Sequence, residues 1–359
     1  MARQGLKITV IAPLTLHMAW RGKDPFYKTE LTGGCLDIDL FRPRFLSVSN
    51  KQIFLWNTAL IGFQSFCRAV GRVLKDRIVP RPNALYGHFL YLGGAAATRF
   101  GVAMGIPSFT MVGEGQLCSV KSFGFDRARR HFSHTTGFMP NSSCLARLLV
   151  DQLGVSKEQI GVFPNGINHR VFFPRDKFAM RSALGLPHDR FLVICVGHQD
   201  LQKGPVRVGE AIAGLEGVNG VFLGSGPNPP VAENIIYNDQ VPHERIPEWL
   251  SAADAFVLPS TYEGSCNAAL EAMSCGLPIV ASRGDFNDDI LNDLVSIRVD
   301  PLDVSAIRSA IIYLRDYPER RMQMGCAALK WSAKFDTDLR TQRMLEFMSE
   351  RINGESEKE

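Results

Sequence analysis

The sequence predicts an α/β protein built from two Rossmann-like domains, each a parallel sheet covered by helices. Three observations carry this. Short β-branched runs alternate with helical patterns, the series occurs twice, and 359 residues exceed the usual size of one hydrophobic core. Parallel strands need crossover connections, and the intervening helices supply them. Hydrophobic residues make up 45% and charged residues 21% of the chain, a balance that excludes disorder for most of it. The last residues, "NGESEKE", are expected to fray.

The amino terminus, "MARQGLKITVIAPL", carries positive charge before an apolar run, as a secretory leader does. The run is short and β-branched, and "AWRGK" follows it without a small-residue cleavage site, so it reads as a first buried strand. "IFLWNTALIGFQSFC" is interrupted by Asn57, Thr58 and Gln64. It falls short of the roughly 18 to 20 apolar residues of a membrane span and reads as a buried or amphipathic helix within 51–76. "ALYGHF", "PSFTMVG", "TTGFMP" and "IGVFP" follow as strands, with helical patterns over 92–104 and 143–153. At "VFPNGINHRVFFPR", residues 162–175, Asn-Gly and two prolines interrupt both periodicities, which places a domain joint there. Domains over 1–166 and 167–335 follow. The second repeats the pattern with strands in "FLVICVG", "GVFLGSG", "AFVLPS" and "PIVAS" and helices over 204–214, 244–252, 267–275 and 303–315.

The eight cysteines form no CxxC pair and no zinc spacing, so they read as small hydrophobes in a reducing compartment, and a cytoplasmic protein is expected. "DID", Asp37 to Asp39, mimics a metal-binding DxD but reads as strand; no metal site is expected. The net charge of +4 is unevenly spread. Residues 1–166 hold 20 Lys+Arg against 9 Asp+Glu, or +11, which leaves 20 against 27, or −7, for the rest. Without interleaved aromatic stacking residues, the basic half does not read as a nucleic-acid binder. Arg68, Arg72, Lys75, Arg77 and Arg81, beside Phe54, Trp56, Phe63 and Phe66, read either as the solvated end of a core helix or as a face for anionic lipid or a lipid-diphosphate acceptor.

In parallel α/β sheets, ligands bind beyond the carboxyl ends of the strands. "FVLPSTYEGSCNAALEAMSCGLP" has that layout: strand 256–258, a loop, a helix from about 268 with Asn267 as candidate N-cap, and a stop at Gly276 and Pro278. On one continuous helix Glu263 and Glu271 would point about 80° apart. With Glu263 on the loop and Glu271 one turn into the helix, both can face the helix mouth. Gly264, Ser265, Cys266 and Asn267 leave backbone N–H groups open to an anion. A nucleotide sugar, with hydroxyls at both ends and phosphate between, suits such a loop.

The segment resembles the E-x7-E signature of the retaining family-4 glycosyltransferases of GT-B fold. "VGHQDLQKG" is similar to their "VGRxxxxKG", "FLGSGP" to "xxGxGP", "VFPNGIN" to "xxPNGxD" and "GIPSFTMVGEG" to "GIPxVxTxHG". The resemblance is specific over about 160–335, looser over 84–160 and weak before that. It implies two Rossmann-like domains with parallel sheets facing a central cleft, an acceptor-binding first domain, a donor-binding second domain, and a C-terminal helix within 336–359 that crosses back to the first. Glu271 would hold the donor ribose and Glu263 the transferred sugar. Lys203 would neutralise the diphosphate with the amides of Gly264, Ser265, Cys266, Asn267 and Ala268. The "VGH" and "LGSG" matches place Gly197 and Gly224 in the donor site, and the base would lie near Asn238 to Val241. The family's diphosphate arginine falls at His198 and its first-domain histidine at Glu114, so both join Glu263 and Lys203 as candidate catalytic residues.

The function implied is transfer of a sugar from a nucleotide-diphosphate sugar to a hydroxyl acceptor, a glycan, glycolipid or lipid-linked sugar, with retention and without metal or cofactor. Polysaccharide biosynthesis at the inner face of the membrane fits that expectation. A GT-B phosphorylase or epimerase, and a degenerate nucleotide-binding protein, are the alternatives.

Overall fold

The computed structural model describes residues 1, 2, 5–16, 27–32, 36–47, 52, 53, 56–75, 80–113, 117, 120 and 123–356. The chain forms two compact units: Met1–Phe163 with Thr341–Glu359, and Pro164–Arg340.

The first unit contains β1 (Thr9–Ile11), β2 (Leu14–Thr15), β3 (Tyr27–Thr32), β4 (Leu36–Phe41), β5 (Arg44–Phe45), β6 (Gln52–Ile53) and β7 (Trp56–Asn57). Then follow α1 (Thr58–Lys75), β8 (Leu85–His88), α2 (Ala95–Met104), β9 (Ser108–Val112), α3 (Phe125–Phe132), β10 (Gly137–Pro140) and α4 (Ser143–Leu153). β8, β9 and β10 form a parallel sheet in the order β10-β9-β8, while β4 pairs parallel with β1 and antiparallel with β3. Asp37 to Asp39 therefore lie on a strand, and no group of metal-ligating side chains occurs among the described residues.

Helix α4 shows how local sequence sets an element's limits. Ser142 accepts a hydrogen bond from the Leu145 amide at its start, and Gly154 ends it in the left-handed conformation. Such a cap contributes about 1 kcal/mol. Its face of Leu145, Leu149 and Leu153 is buried in the core of the unit.

Three sequence expectations are revised here. The first strand is not buried: β1 lies at the edge of its sheet and Val10 is exposed. The helix expected over 51–76 begins at Thr58, because β6 and β7 pair antiparallel before it. "IGVFP" makes a bridge from Ile160 to Phe138 and runs on as extended chain, with the Gly161 and Phe163 amides bonded to the Phe138 and Pro140 carbonyls. Between β8 and α2 the chain makes a tight π-helical turn over Phe89–Gly94, and Phe89 and Leu92 take positive φ values of 63° and 64°.

The second unit contains α5 (Lys177–Leu184), β11 (Phe191–Val196), α6 (Pro205–Ile212), β12 (Val218–Leu223), β13 (Ile235–Asp239), α7 (Ile246–Ala252), β14 (Ala255–Leu258) and α8 (Asn267–Ser274). β15 (Ile279–Ser282), β16 (Ser296–Val299), α9 (Val304–Asp316), α10 (Pro318–Ser332) and α11 (Thr337–Ser356) complete the chain. The six strands form one parallel sheet, β13-β12-β11-β14-β15-β16. β11, β14 and β15 are buried along their whole length, as a sheet covered on both faces requires. α11 starts in this unit. From Thr341 onward it belongs to the first unit, where Met344, Phe347 and Met348 pack on Phe109, Met111, Met139 and Phe163.

A buried ion pair holds α5 to the sheet. Arg181 Nη2 lies 2.6 Å from Asp254 Oδ2, which also accepts from the Leu192 amide, and Lys177 Nζ meets Asp254 Oδ1 at 2.8 Å. Arg181 spends its remaining donors on the carbonyls of Ala252, Pro187, His188 and Arg190. Burial works against the Asp254 carboxylate, yet Lys177, the Leu192 amide and Arg181 outweigh it and hold its pKa below the usual value.

Candidate functional site

In the second unit the strand order reverses between β11 and β14, and in open parallel sheets the crevice at such a point is the ligand site. Two loops flank it: 197–204 after β11 and 259–266 after β14. The sequence candidates cluster on these loops, and hydrogen bonds tie the loops together. Lys203 Nζ donates to Glu263 Oε1 at 2.5 Å, Gln202 Nε2 donates to the Tyr262 carbonyl at 3.0 Å, and the Thr261 amide donates to the Gln202 carbonyl at 2.8 Å. Ser260 Oγ donates to the same Glu263 oxygen at 2.7 Å, and Ser282 donates in turn to the Ser260 carbonyl.

Burial opposes the charge on Lys203, while the Glu263 carboxylate, by charge and by hydrogen bond, and Asp200 favour it. Burial pushes the Cys266 thiol up to about 12, so at neutral pH Cys266 carries no charge and Glu263 is the partner that matters.

Glu263 and Glu271 do not act as a pair. Glu271, on α8, is buried and faces His243, whose Nε2 lies 3.2 Å from Glu271 Oε1. Burial raises the Glu271 pKa, and the His243 contact opposes the rise. Asn267 does not cap α8. Cys266 precedes the helix without a side-chain cap, and Asn267 Oδ1 instead accepts from Asn165 Nδ2 at 2.8 Å. The amides of 264–268 have no acceptor among the described residues, as expected for the open start of a helix.

The other candidates lie at the ends of β11, β12 and β13. Gly197 and Gly224 have φ of 145° and 154°, and a Cβ on Gly224 would stand 1.9 Å from the Gly197 carbonyl oxygen. Only glycine permits that approach. The buried Gln199 donates from Nε2 to Asn238 Oδ1 at 2.6 Å and fixes the loop of the expected base site, where Val241 is partly buried. His198 is exposed, and Glu114 lies outside the described residues.

Sequence reasoning missed Gln199, Ser260, His243 and the role of Asn165. The PNG turn contains the only signal for any of them. The others act across loops and leave no periodic trace.

This fold is that of the GT-B glycosyltransferases. Sucrose-phosphate synthase from Thermosynechococcus elongatus aligns with a TM-score of 0.75 at 18% identity, over 98% of this chain and 91% of that one. HepE of Anabaena in complex with UDP aligns with a TM-score of 0.68 at 15% identity, over 88% and 86%. Residues 176–331 match the family model "Glycosyl transferases group 1". A Bacillus subtilis (strain 168) protein named for glycosyl transfer in teichuronic acid biosynthesis is 27% identical over 321 residues, 86% of this chain and 80% of its own length. A D-inositol 3-phosphate glycosyltransferase of Thermomonospora curvata is 26% identical over 270 residues, and the chain spans 59% of that relative.

Proposed function

We infer that the second unit binds a nucleotide-diphosphate sugar and that the protein transfers the sugar to a hydroxyl acceptor with retention of configuration. One observation carries the reading: Lys203 and five unpaired amides stand at the β11/β14 switch, on the segment that bears Glu263 and Glu271. The group 1 match over 176–331 and the UDP complex of a protein of like fold support it.

In this reading Glu271 receives the ribose hydroxyls, Gly197, Gly224, Asn238 and Val241 line the base and diphosphate, and Glu263 meets the sugar. The anomeric C–O bond breaks, the acceptor oxygen bonds to the anomeric carbon on the same face, and the acceptor proton passes to the departing phosphate. Lys203 and the 264–268 amides meet the charge that develops on the diphosphate and favour the transition state over the ground state. The reading calls for no divalent ion and no cofactor. The first unit takes the acceptor, a glycan or lipid-linked sugar, and Arg68, Arg72 and Lys75 of α1 expose cations that suit an anionic membrane surface, while Phe54 and Arg77 lie outside the described residues. Phe63 and Phe66 of that helix are buried, so such contact is electrostatic rather than insertional. Among the described residues no helix is long and apolar enough to cross a membrane.

A thermal-shift screen with UDP, GDP, ADP and their sugars tests donor binding, because a ligand of the folded state alone raises apparent stability. Product analysis by NMR tests retention. Failure of every nucleotide to shift the transition would overturn the reading, and binding without transfer or donor hydrolysis would leave a nucleotide-binding protein in which His198 does not replace the arginine.

A further inference from the structure

The PNG turn, residues 164–166, holds none of the donor-site residues assigned above, yet its asparagine makes three hydrogen bonds to the segment that bears the open amides. The Asn165 amide donates to Ser265 Oγ at 3.1 Å, and Asn165 Nδ2 donates to the Ser265 carbonyl at 3.1 Å and to Asn267 Oδ1 at 2.8 Å. Both side-chain hydrogens are used, on partners 100 and 102 residues away in sequence.

The turn is itself held from behind. Arg340 Nε donates to the Pro164 carbonyl at 2.7 Å, and Ile167 exchanges backbone bonds with Phe335 and Thr337. A Cβ on Gly166 would stand 3.0 Å from Thr337 Cα, so the turn sits against the start of α11 with no room for a side chain. Every acceptor taken by Asn165 is a carbonyl, hydroxyl or amide oxygen of the loop. The loop N–H groups remain unclaimed and are fixed in direction.

We propose that Asn165 is a positioning residue for the diphosphate of the donor: it clamps the loop through Ser265 and Asn267, so that the amides of 264–268 converge on the anion. This rests on the donor reading above. The clamp prepares the loop before the ligand arrives, which is how oriented amides serve an anion at low reorganisation cost.

Two measurements test it, on wild type, Asn165→Ala and Asn165→Asp. The aspartate keeps the shape but replaces the –NH2 donor by an oxygen facing two acceptors. Backbone 15N relaxation without ligand reads the clamp, and the order parameters of 263–268 are expected to fall in both variants. Calorimetry with UDP, GDP and ADP reads the function. Affinity for the diphosphate that wild type binds is expected to fall about tenfold in Asn165→Ala and further in Asn165→Asp, with a much smaller change for the corresponding nucleoside. If Asn165→Ala does not fold, Asn267→Ala removes a single clamp bond and is expected to lose about threefold. Unchanged order parameters, or lower order parameters with unchanged diphosphate affinity, overturn the proposal and leave the donor reading standing. Wild type that binds none of the three diphosphates overturns the donor reading, and the proposal with it.

Discussion

Lys203 Nζ lies 2.5 Å from Glu263 Oε1, across the two loops that flank the strand-order reversal of the second unit. The cation that the donor reading gives to the diphosphate is thus paired with the carboxylate it gives to the sugar. On the proposed donor reading, a diphosphate competes with Glu263 for Lys203.

The competition gives opposite effects for the two partners. Lys203→Met is expected to weaken nucleoside diphosphate binding by roughly tenfold to a hundredfold, since a hydrogen bond to a charged group contributes about 1.5–3 kcal/mol. Glu263→Gln is expected to tighten it by roughly threefold while slowing sugar transfer. Calorimetry and initial rates read both, and equal affinities in wild type and both variants would remove Lys203 from the phosphate site.

Glu271 yields a pH dependence. Burial raises its carboxyl pKa in the folded protein. The folded state therefore keeps this proton to higher pH than the unfolded chain. The group's contribution is most favourable below the ordinary carboxyl pKa of about 4.5 and is lost as pH rises through the folded value. Glu271→Gln is expected to raise the melting temperature more at pH 7 than at pH 4, while weakening nucleotide binding. His243→Ala removes the nearest partner of the carboxylate and should steepen the wild-type loss. Melting curves between pH 4 and pH 8 decide it, and parallel profiles for wild type and Glu271→Gln would refute the assignment.

Arg181 and Asp254 carry stability rather than chemistry. Arg181→Met leaves the Asp254 carboxylate buried with Lys177 as its remaining cation and strands the carbonyls of 187, 188 and 190. A loss of about 3 kcal/mol is expected, within the range for breaking a buried pair. The Asp254 pKa is depressed, so the pair's contribution is present above the unfolded aspartate pKa and fades as pH falls through the folded one. Urea titration of the second unit's transition at pH 7 and pH 3 measures it; a loss of the same size at both pH values would contradict the electrostatic account.

The cations of α1 predict salt-sensitive membrane contact. Vesicles with anionic lipid are expected to co-sediment the protein at low salt and release it at high salt, because each exposed cation near such a surface contributes about 1 kcal/mol and screening acts beyond ~8 Å. Replacing Arg68, Arg72 and Lys75 together by Gln should abolish sedimentation and leave nucleotide binding intact. Equal sedimentation with neutral vesicles would count against the electrostatic mechanism.

The sequence by itself determined the α/β class, the buried strands β11, β14 and β15, and the motif segments that bear Lys203, Glu263 and Glu271. These are local properties: an apolar run of strand length, a glycine that permits a positive φ, a motif contained in one strand, loop and helix. The short polar-ended strands β13 and β16 and the helices α3, α5 and α10 escaped it, because their pairing and burial are set by neighbours distant in sequence. Only the tertiary structure decided the partners. Asn267 reads as a helix cap because its side chain can bond its own backbone. In the fold a donor 102 residues away takes that oxygen instead. The sequence places Glu263 and Glu271 at one helix mouth but not the groups they meet, Lys203 and His243, because burial demands the nearest donor and sequence distance does not measure nearness.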